Sequence, residues 1–308
     1  LAKPVTAVIR LGERTPVENL AYFARVQSTP MIKHYSALDI RKISAPHDGD
    51  YQNLLATLNE KGFKVVNESP THLWVTIEAD STTFENVFNT RIDFVDNNTH
   101  RNNGHFTIPA DLKLIAGMIG LDNTRKSHPH YKRLDGAPMI GGGISPDTIR
   151  KYYGFQPIYG QGLSGKGQHV AVATYNGFKI DHVNYYYKSL NLQPGPTVDQ
   201  VQFNGAPDYD ENSAGETELD AEFIGMIAPG TNVHVFASKT NDDVGEMQMF
   251  TAILDDNRAK VVNYSWGACE RDVDPNHQTE MNKIFARAVA QGVNTVSYTH
   301  LRAHETSL

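Results

Sequence analysis

The stretch from residue 232 to residue 267, NVHVFASKTNDDVGEMQMFTAILDDNRAKVVNYSWG, decides the fold class of the C-terminal part of this chain. An apolar strand pattern, NVHVFAS, is followed by the helical pattern DVGEMQMFTAILDD and then by a second strand pattern, AKVVNYSWG. Strands that alternate with helices predict a parallel sheet covered on both faces. The alternation extends in both directions, so we expect one α/β domain over residues 146–296.

The first part of the chain, residues 1–125, predicts a different architecture. Its strand and helix patterns are joined by short connections and predict an α+β sandwich, in which one mostly antiparallel sheet has helices on one face. Three strands are predicted at 6–11, 63–68 and 72–79, three helices at 17–26, 50–62 and 81–90, and a hairpin that joins RIDFVD (91–96) to GHFTIP (104–109) across the polar turn NNTHRNN.

Two segments lack the pattern of either domain. Residues 126–145 are basic and rich in Pro and Gly, which predicts an exposed linker with a proteolytic processing site. Residues 297–308, SYTHLRAHETSL, break off an apolar strand pattern and resemble a translated adaptor, so we interpret them as a non-native tail.

Composition narrows the possible partners. The chain has 308 residues, 40% of them hydrophobic, and a net charge of −7, which argues against a nucleic-acid or anionic-membrane partner. No run of 18 apolar residues predicts a membrane span. The single Cys269 excludes an internal disulfide framework.

The segment GETELDAEFIG (215–225) carries four acids in a helical pattern. At 100° per residue, Glu216 and Asp220 share one side, whereas Glu218 and Glu222 fall on the opposite, solvated side. The first pair lies within the predicted apolar stripe, which also contains Leu219, Phe223, Ile224, Met226 and Ile227. Burying carboxylates is costly without compensation, so the pair is a functional candidate. A purely structural pair, favoured by the helix dipole and a local donor, is about equally compatible with the pattern.

Several kinds of hydrolase are not supported. The strand VAVATYNG ends without an acid and the chain contains no HGT, so a histidine triad is not supported. There is no His-Glu-x-x-His zinc motif, and a calcium loop in DYDENSAGETEL fails at Ser213 and Leu219. A glycosidase would usually take its two carboxylates from separate elements.

Four motifs match one family in its own order. They are IPADLKLIAGMIGLDN, SPDTIRKYYGF, the helix GETELDAEFIGMIAPG and the strand VVNYSWG. Through them the chain, from residue 1 to about residue 296, resembles the sedolisins (serine-carboxyl peptidases) of the kumamolisin and pseudomonalisin type. The resemblance implies a pro-kumamolisin-type activation domain over 1–125 and a subtilisin-like α/β peptidase domain over 146–296, of which only the N-terminal half would be present.

The resemblance also implies roles for individual residues. Glu216 would be the general base that takes the proton of a serine nucleophile, and Asp220 would hydrogen-bond Glu216 and tune its proton affinity. Ser265, Trp266 and Gly267 would line the substrate cleft. Without the family, Trp266 would more often be a core aromatic. Some members have a further glutamate on the first strand, at a place that is near Thr174 here.

The family's remaining catalytic parts are not in this sequence. Its G-T-S nucleophile and G-D-S-G oxyanion aspartate do not occur, and no metal ligand is predicted; Ca²⁺ is expected in the full-length enzyme at a site outside this chain. We therefore expect the parent to be a secreted, acid-active endopeptidase zymogen that cleaves proteins and is inhibited by its own activation domain, and this chain to be inactive. The alternative is a catalytically dead relative that binds peptides or peptidases.

Overall fold

The structure is a computed structural model that describes residues 2–26, 34–102, 105–129, 145–192, 195–211, 213–269, 271 and 273–297. The chain divides into two compact units. The first unit comprises residues 1–127, 240–257 and 268–294, and the second comprises residues 128–239, 258–267 and 295–308. Most of the segment interpreted as a non-native tail, residues 298–308, lies outside the described residues.

The first unit contains an antiparallel sheet, as predicted. Its strands and helices up to residue 127 are β1 (Pro4–Leu11), α1 (Val17–Val26), α2 (Ala37–Ser44), α3 (Asp48–Glu60), β2 (Lys64–Glu68), β3 (Trp74–Asp80), α4 (Ser81–Phe88), β4 (Ile92–Phe94), β5 (His100–Asn102) and β6 (Ile115–Ile119). Four of these strands form a sheet in the order β2-β3-β1-β6, with neighbours antiparallel.

The two faces of β1 bury different partners because successive side chains of a strand point to opposite sides. Val5, Ala7, Ile9 and Leu11 belong to a core cluster with the aromatic and aliphatic side chains of α3 and α4. Arg10 lies on the other face, where its Nε contacts Glu280 at 2.7 Å. Glu280 belongs to α10, so this face is covered by elements from much later in the chain.

The second unit contains the parallel sheet that the sequence predicts. Its elements up to residue 239 are β7 (His128–Pro129), α5 (Pro146–Tyr152), α6 (Gln156–Gly160), β8 (His169–Thr174), α7 (Ile180–Ser189), β9 (Thr197–Val201), α8 (Gly215–Ile227) and β10 (Asn232–Ala237). The chain then continues through α9 (Asp243–Asp256), β11 (Val261–Tyr264), β12 (Trp266–Gly267), α10 (Pro275–Gln291) and β13 (Asn294–Val296). The sheet order is β13-β11-β8-β10-β9.

Adjacent parallel strands bring their carboxyl ends together, which positions the candidate site. Thr174, at the end of β8, is in register with Ala237 of β10, and Ala173 is in register with Tyr264 of β11. The residues that directly follow these strands, Tyr175 and Ser265, therefore lie at the same edge of the sheet. The fold class predicted from the sequence, an α+β sandwich followed by a parallel α/β sheet, is confirmed.

Helices α9 and α10 lie in the first unit, although their sequence patterns are those of the α/β domain. The fully buried Arg287 of α10 shows how they are held. Its guanidinium donates to Asp255 at 2.6 Å, to Gln291 at 2.6 Å and to Ser69 at 3.3 Å, and lies over the Trp74 ring at 5.7 Å. The sequence predicted helices on one face of the antiparallel sheet, and α10 adds contacts on the other face, where Glu280 pairs with Arg10.

Two local predictions differ from the structure. The predicted hairpin pairs β4 with His100–Asn102 rather than with residues 104–109. The turn is shorter because the Asp96 carboxylate accepts hydrogen bonds from the backbone N–H groups of Asn98 and Thr99, both at 2.7 Å. Helix α2 was not predicted, although Ser36 and Asp39 form a capping box at its start.

Candidate functional site

The candidate site is built where α8 meets the end of β11 in the second unit. Glu216, in the first turn of α8, is fully buried, and Asp220, one turn later, is 7% exposed. Ser265 directly follows β11 and is also buried. The structure therefore brings the two predicted catalytic carboxylates and one predicted cleft residue together.

Ser265 connects the end of β11 to the two acids. Its hydroxyl donates to Asp220 Oδ1 at 3.1 Å, and its interaction with Glu216 favours the ionised form of that carboxyl. Asn263 Nδ2 donates to Ser265 Oγ at 3.2 Å. Because that bond takes up a lone pair of the hydroxyl oxygen, the hydroxyl proton is directed toward Asp220. The family resemblance assigned Ser265 to the cleft, and its hydrogen bond to Asp220 was not foreseen.

Burial raises the pKa of Glu216 to about 7, and the hydrogen bond with Ser265 opposes this rise. A carboxyl group that titrates near neutrality can both take up and release a proton under mild conditions. A raised pKa alone does not distinguish a catalytic carboxyl from a structural one, because structural networks also shift pKa values.

Glu222 shows that a raised pKa does not single out a catalytic residue. Burial and the neighbouring Glu218 raise the pKa of Glu222 also to about 7, with His182 opposing. Glu218 contacts His182 Nδ1 at 3.1 Å and accepts the backbone N–H of Lys179 at 3.2 Å. Both acids are half-buried on the side of α8 away from Glu216, as the helical pattern predicts.

The apolar stripe of α8 is rotated from its predicted position. Leu219 and Phe223 were expected to share the inward face, but they are 37% and 43% exposed. Small residues such as Ala221 and Gly225 face inward instead. A Cβ at Gly225 would come within 2.5 Å of the Tyr187 ring, so this side of α8 has to be small for α7 and α8 to pack.

The end of β8, at Thr174, carries no charged side chain. Thr174 is fully buried, and its hydroxyl hydrogen-bonds that of Thr217 at 2.8 Å. Thr217 also donates to the backbone carbonyl of Asn176 at 3.3 Å. These contacts tie the first turn of α8 to the end of β8 and hold the neighbouring Glu216 in place.

A short strand from the predicted linker lies along the predicted substrate strand. Trp266 pairs with Pro129, and Gly267 pairs with His128, in an antiparallel arrangement. Trp266 is buried, and its ring packs edge-to-face on Tyr175 at 5.2 Å. Nothing in the periodicity of residues 126–145 predicts this strand, because two residues are too few to show alternation. Residues 130–144 of the linker lie outside the described residues.

A buried polar cluster in the first unit connects Arg125 to residues of α9 and α10. The Arg125 guanidinium contacts Asp243 through Nε and Glu246 through Nη2, and its Nη2 lies 3.0 Å from His277 Nε2. The carboxylate and imidazole atoms of Asp243, Glu246 and His277 lie within 4.8 Å of one another, close enough to hold a cation. The cation in this structure is the guanidinium.

The charges of this cluster shift its acids in opposite directions. Burial pushes the pKa of Glu246 up, but hydrogen bonds and charges from His277 and Arg125 outweigh burial and leave it below its ordinary value. Burial keeps the pKa of Asp243 above its ordinary value, against the attraction of His277 and Arg125.

One family model and three curated relatives match this chain. The family model "Pro-kumamolisin, activation domain" matches residues 2–124. Kumamolisin of Bacillus sp. (strain MN-32) is 30% identical over 214 residues, which cover 63% of this chain and 37% of kumamolisin. Sedolisin of Pseudomonas sp. (strain 101) is 26% identical over 269 residues, which cover 80% of this chain and 45% of sedolisin. Xanthomonalisin of Xanthomonas sp. (strain T-22) is 24% identical over 272 residues, which cover 80% of this chain and 33% of xanthomonalisin.

The chain thus spans less than half the length of these curated relatives. Among solved structures, Pseudomonas sedolisin, a serine-carboxyl proteinase complexed with two molecules of pseudo-iodotyrostatin, matches with 24% identity and a TM-score of 0.43, over 50% of this chain and 44% of that protein. Among the described residues, no helix is long and apolar enough to cross a membrane.

Proposed function

We propose that this chain, which resembles the sedolisins and matches the pro-kumamolisin activation domain over residues 2–124, is part of a serine-type endopeptidase made as a zymogen. The observation that carries the proposal is the buried pair Glu216 and Asp220, with the Ser265 hydroxyl donating to Asp220 at 3.1 Å. The motifs that carry the family's serine nucleophile and oxyanion aspartate do not occur in these 308 residues, and the rest of the enzyme would supply them.

In the proposed reaction Glu216 accepts the proton of the serine nucleophile as that serine attacks the peptide carbonyl. The same proton then passes to the leaving amine, and the cycle repeats with water. Asp220 and Ser265 are assigned as positioning residues, because Ser265 donates to Asp220 at 3.1 Å and also interacts with Glu216. The raised pKa of Glu216 makes both proton transfers accessible at mild pH.

The strand pair β7–β12 supports inhibition of the enzyme by the linker that follows its activation domain. His128 and Pro129 pair as a strand with Trp266 and Gly267, whose backbone an extended substrate would use for its own strand pairing. We place the processing site in the linker after Pro129, and N-terminal sequencing of acid-processed protein would test this. A peptide-binding protein without catalysis could use the same strand, but it would not need the buried pair Glu216 and Asp220.

Two further features are part of the proposal. The enzyme would be secreted, as suits a peptidase kept inactive until processing, and its substrates would be proteins and peptides. Ca²⁺ would bind the full-length enzyme outside this chain.

The test uses protein that includes the downstream sequence and compares four substitutions on one helix. Glu216→Gln and Asp220→Asn should each lower kcat/KM for a peptide substrate in acid by about 10³-fold or more. Glu218→Gln and Glu222→Gln are matched controls on the outer side of α8 and should stay within about threefold. Equal losses at all four positions would refute the assignment, and circular dichroism would verify that each variant is folded.

Ser265→Ala separates positioning from structure. If Ser265 positions Glu216, the acidic limb of the pH–rate profile should move to higher pH, because the hydrogen bond with Ser265 lowers the pKa of Glu216. A variant that loses activity equally at every pH would indicate a structural role instead.

A further inference from the structure

We propose that Asp243, Glu246 and His277 form a subsite that binds the arginine side chain of an extended peptide. Asn241 would bind the backbone of the peptide residue that follows this arginine by two positions. The inference rests on the proposed peptidase function, because it makes this cluster part of substrate recognition.

The first support is the way in which the guanidinium of Arg125 is held. Asp243 and Glu246 are three residues apart on α9, so both carboxylates lie on one side of that helix. They receive Nε and Nη2 of Arg125, two donors with a fixed geometry in the planar guanidinium. His277, brought by α10, lies 3.0 Å from the same Nη2. A lysine ammonium could not reach these acceptors with the same geometry.

The second support is Asn241, whose side-chain amide hydrogen-bonds the backbone of Ser127 and not its side chain. Its Oδ1 accepts the N–H of Ser127 at 2.8 Å, and its Nδ2 donates to the carbonyl of Ser127, also at 2.8 Å. Such a pair imitates a β-ladder and imposes no side-chain identity at that position. Lys126, between the two anchored residues, is 42% exposed, and its Nζ makes only a long ion pair of 4.0 Å with Asp242. The subsite would therefore bind a peptide with arginine at one position, any residue at the next, and an extended backbone at the third.

The third support is the charge that remains if Arg125 leaves. Asn241 and the three residues of the subsite belong to residues 240–294, whereas Arg125 directly follows the matched activation domain. Removal of the activation segment would leave two carboxylates whose side chains are about 10% exposed, without their main cation. A buried charge without a partner is strongly unfavourable, so the emptied subsite should bind a new guanidinium.

The test opens the subsite in the full 308-residue chain with Arg125→Gly and measures binding without catalysis. The probes are acetyl-Arg-Lys-Ser-amide and its matched control acetyl-Ala-Lys-Ser-amide, together with ethylguanidinium and ethylammonium, each titrated calorimetrically. The arginine peptide should bind Arg125→Gly at least about tenfold more tightly than the alanine peptide, and ethylguanidinium more tightly than ethylammonium. Unsubstituted chain should bind neither peptide, because its own Arg125 competes.

Adding Glu246→Gln should abolish the preference for arginine, whereas Glu218→Gln, a substitution on α8, should leave it unchanged. Equal affinity for both peptides would overturn the proposal, as would binding of Zn²⁺ alone in place of guanidinium. If Arg125→Gly does not fold, Arg125→Gln provides the same opening with a larger side chain. In the enzyme, activity without any preference for substrates that contain arginine would refute the subsite and leave the peptidase assignment standing.

Discussion

Replacing Arg287 by methionine is expected to lower the free energy of unfolding of the first unit by about 3–5 kcal/mol. The guanidinium is fully buried, and the Asp255 carboxylate that it contacts at 2.6 Å is 17% exposed. Methionine fills a similar volume but leaves Asp255 without its cation. The magnitude is that of a buried pair broken on one side, rather than that of a surface pair.

The assay is urea unfolding followed by the fluorescence of Trp74, which lies against Arg287. The chain has two tryptophans, so a Trp266→Phe background makes the signal specific to the first unit. Arg41→Met is the matched control, because Arg41 and its partner Asp48 are 35% and 75% exposed, and its effect should stay below about 1 kcal/mol.

A double-mutant cycle with Asp255→Leu tests the reasoning more closely. Removing both charges should be less damaging than the sum of the single changes, with a coupling energy of about 2 kcal/mol or more. An Arg287→Met variant as stable as Arg41→Met would refute the account. Additive single and double changes would show that packing, rather than charge, dominates this contact.

Three further predictions concern the titrating groups and the chain itself. Glu216 should titrate near pH 7 by ¹³C NMR, and Ser265→Ala should raise that value because a hydrogen bond that lowers the pKa is lost; a downward move would contradict the geometry. Because the pKa of Glu246 is lowered, its stabilising contribution is complete above the unfolded value of about 4.5 and is lost as the pH falls through the lower folded pKa. First-unit stability should therefore fall more between pH 5 and pH 3 in the unsubstituted chain than in Glu246→Gln, and parallel curves would contradict this. The 308-residue chain should not hydrolyse denatured protein in acid, and activity that survives Glu216→Gln would refute the roles given to these residues.

Helical spacing alone was enough to place Glu216 and Asp220 on one side of α8, since 3.6 residues per turn is a local property. Helical spacing could not predict which residues lie at the centre of the buried side of α8. That depends on Gly225, which lets the Tyr187 ring approach, and Tyr187 is on another helix. Leu219 and Phe223 turned outward for this reason. Periodicity reports which residues share a side, but the packing partner decides which side is buried.

Contacts between distant residues were beyond the reach of local patterns. Arg125 was visible as a cation in a basic segment, but its acceptors Asp243 and Glu246 follow 118 and 121 residues later. The link of Ser265 to Asp220 spans 45 residues. One missed element was readable, however, because Ser36 and Asp39 have the spacing of a capping box before α2.

The distance in sequence between the two faces of β1 sets an order of events during synthesis. Arg10 and its partner Glu280 are 270 residues apart. At about 5–20 residues per second, roughly 14–54 s pass between the appearance of the strand and that of the helix that covers it. Helices α3 and α4, which cover one face of β1, have been synthesised once Phe88 is added, whereas the face with Arg10 stays uncovered until α10 has been made. The first unit starts to fold before the second has been made, but it can be completed only when Glu280, 270 residues after Arg10, has been synthesised.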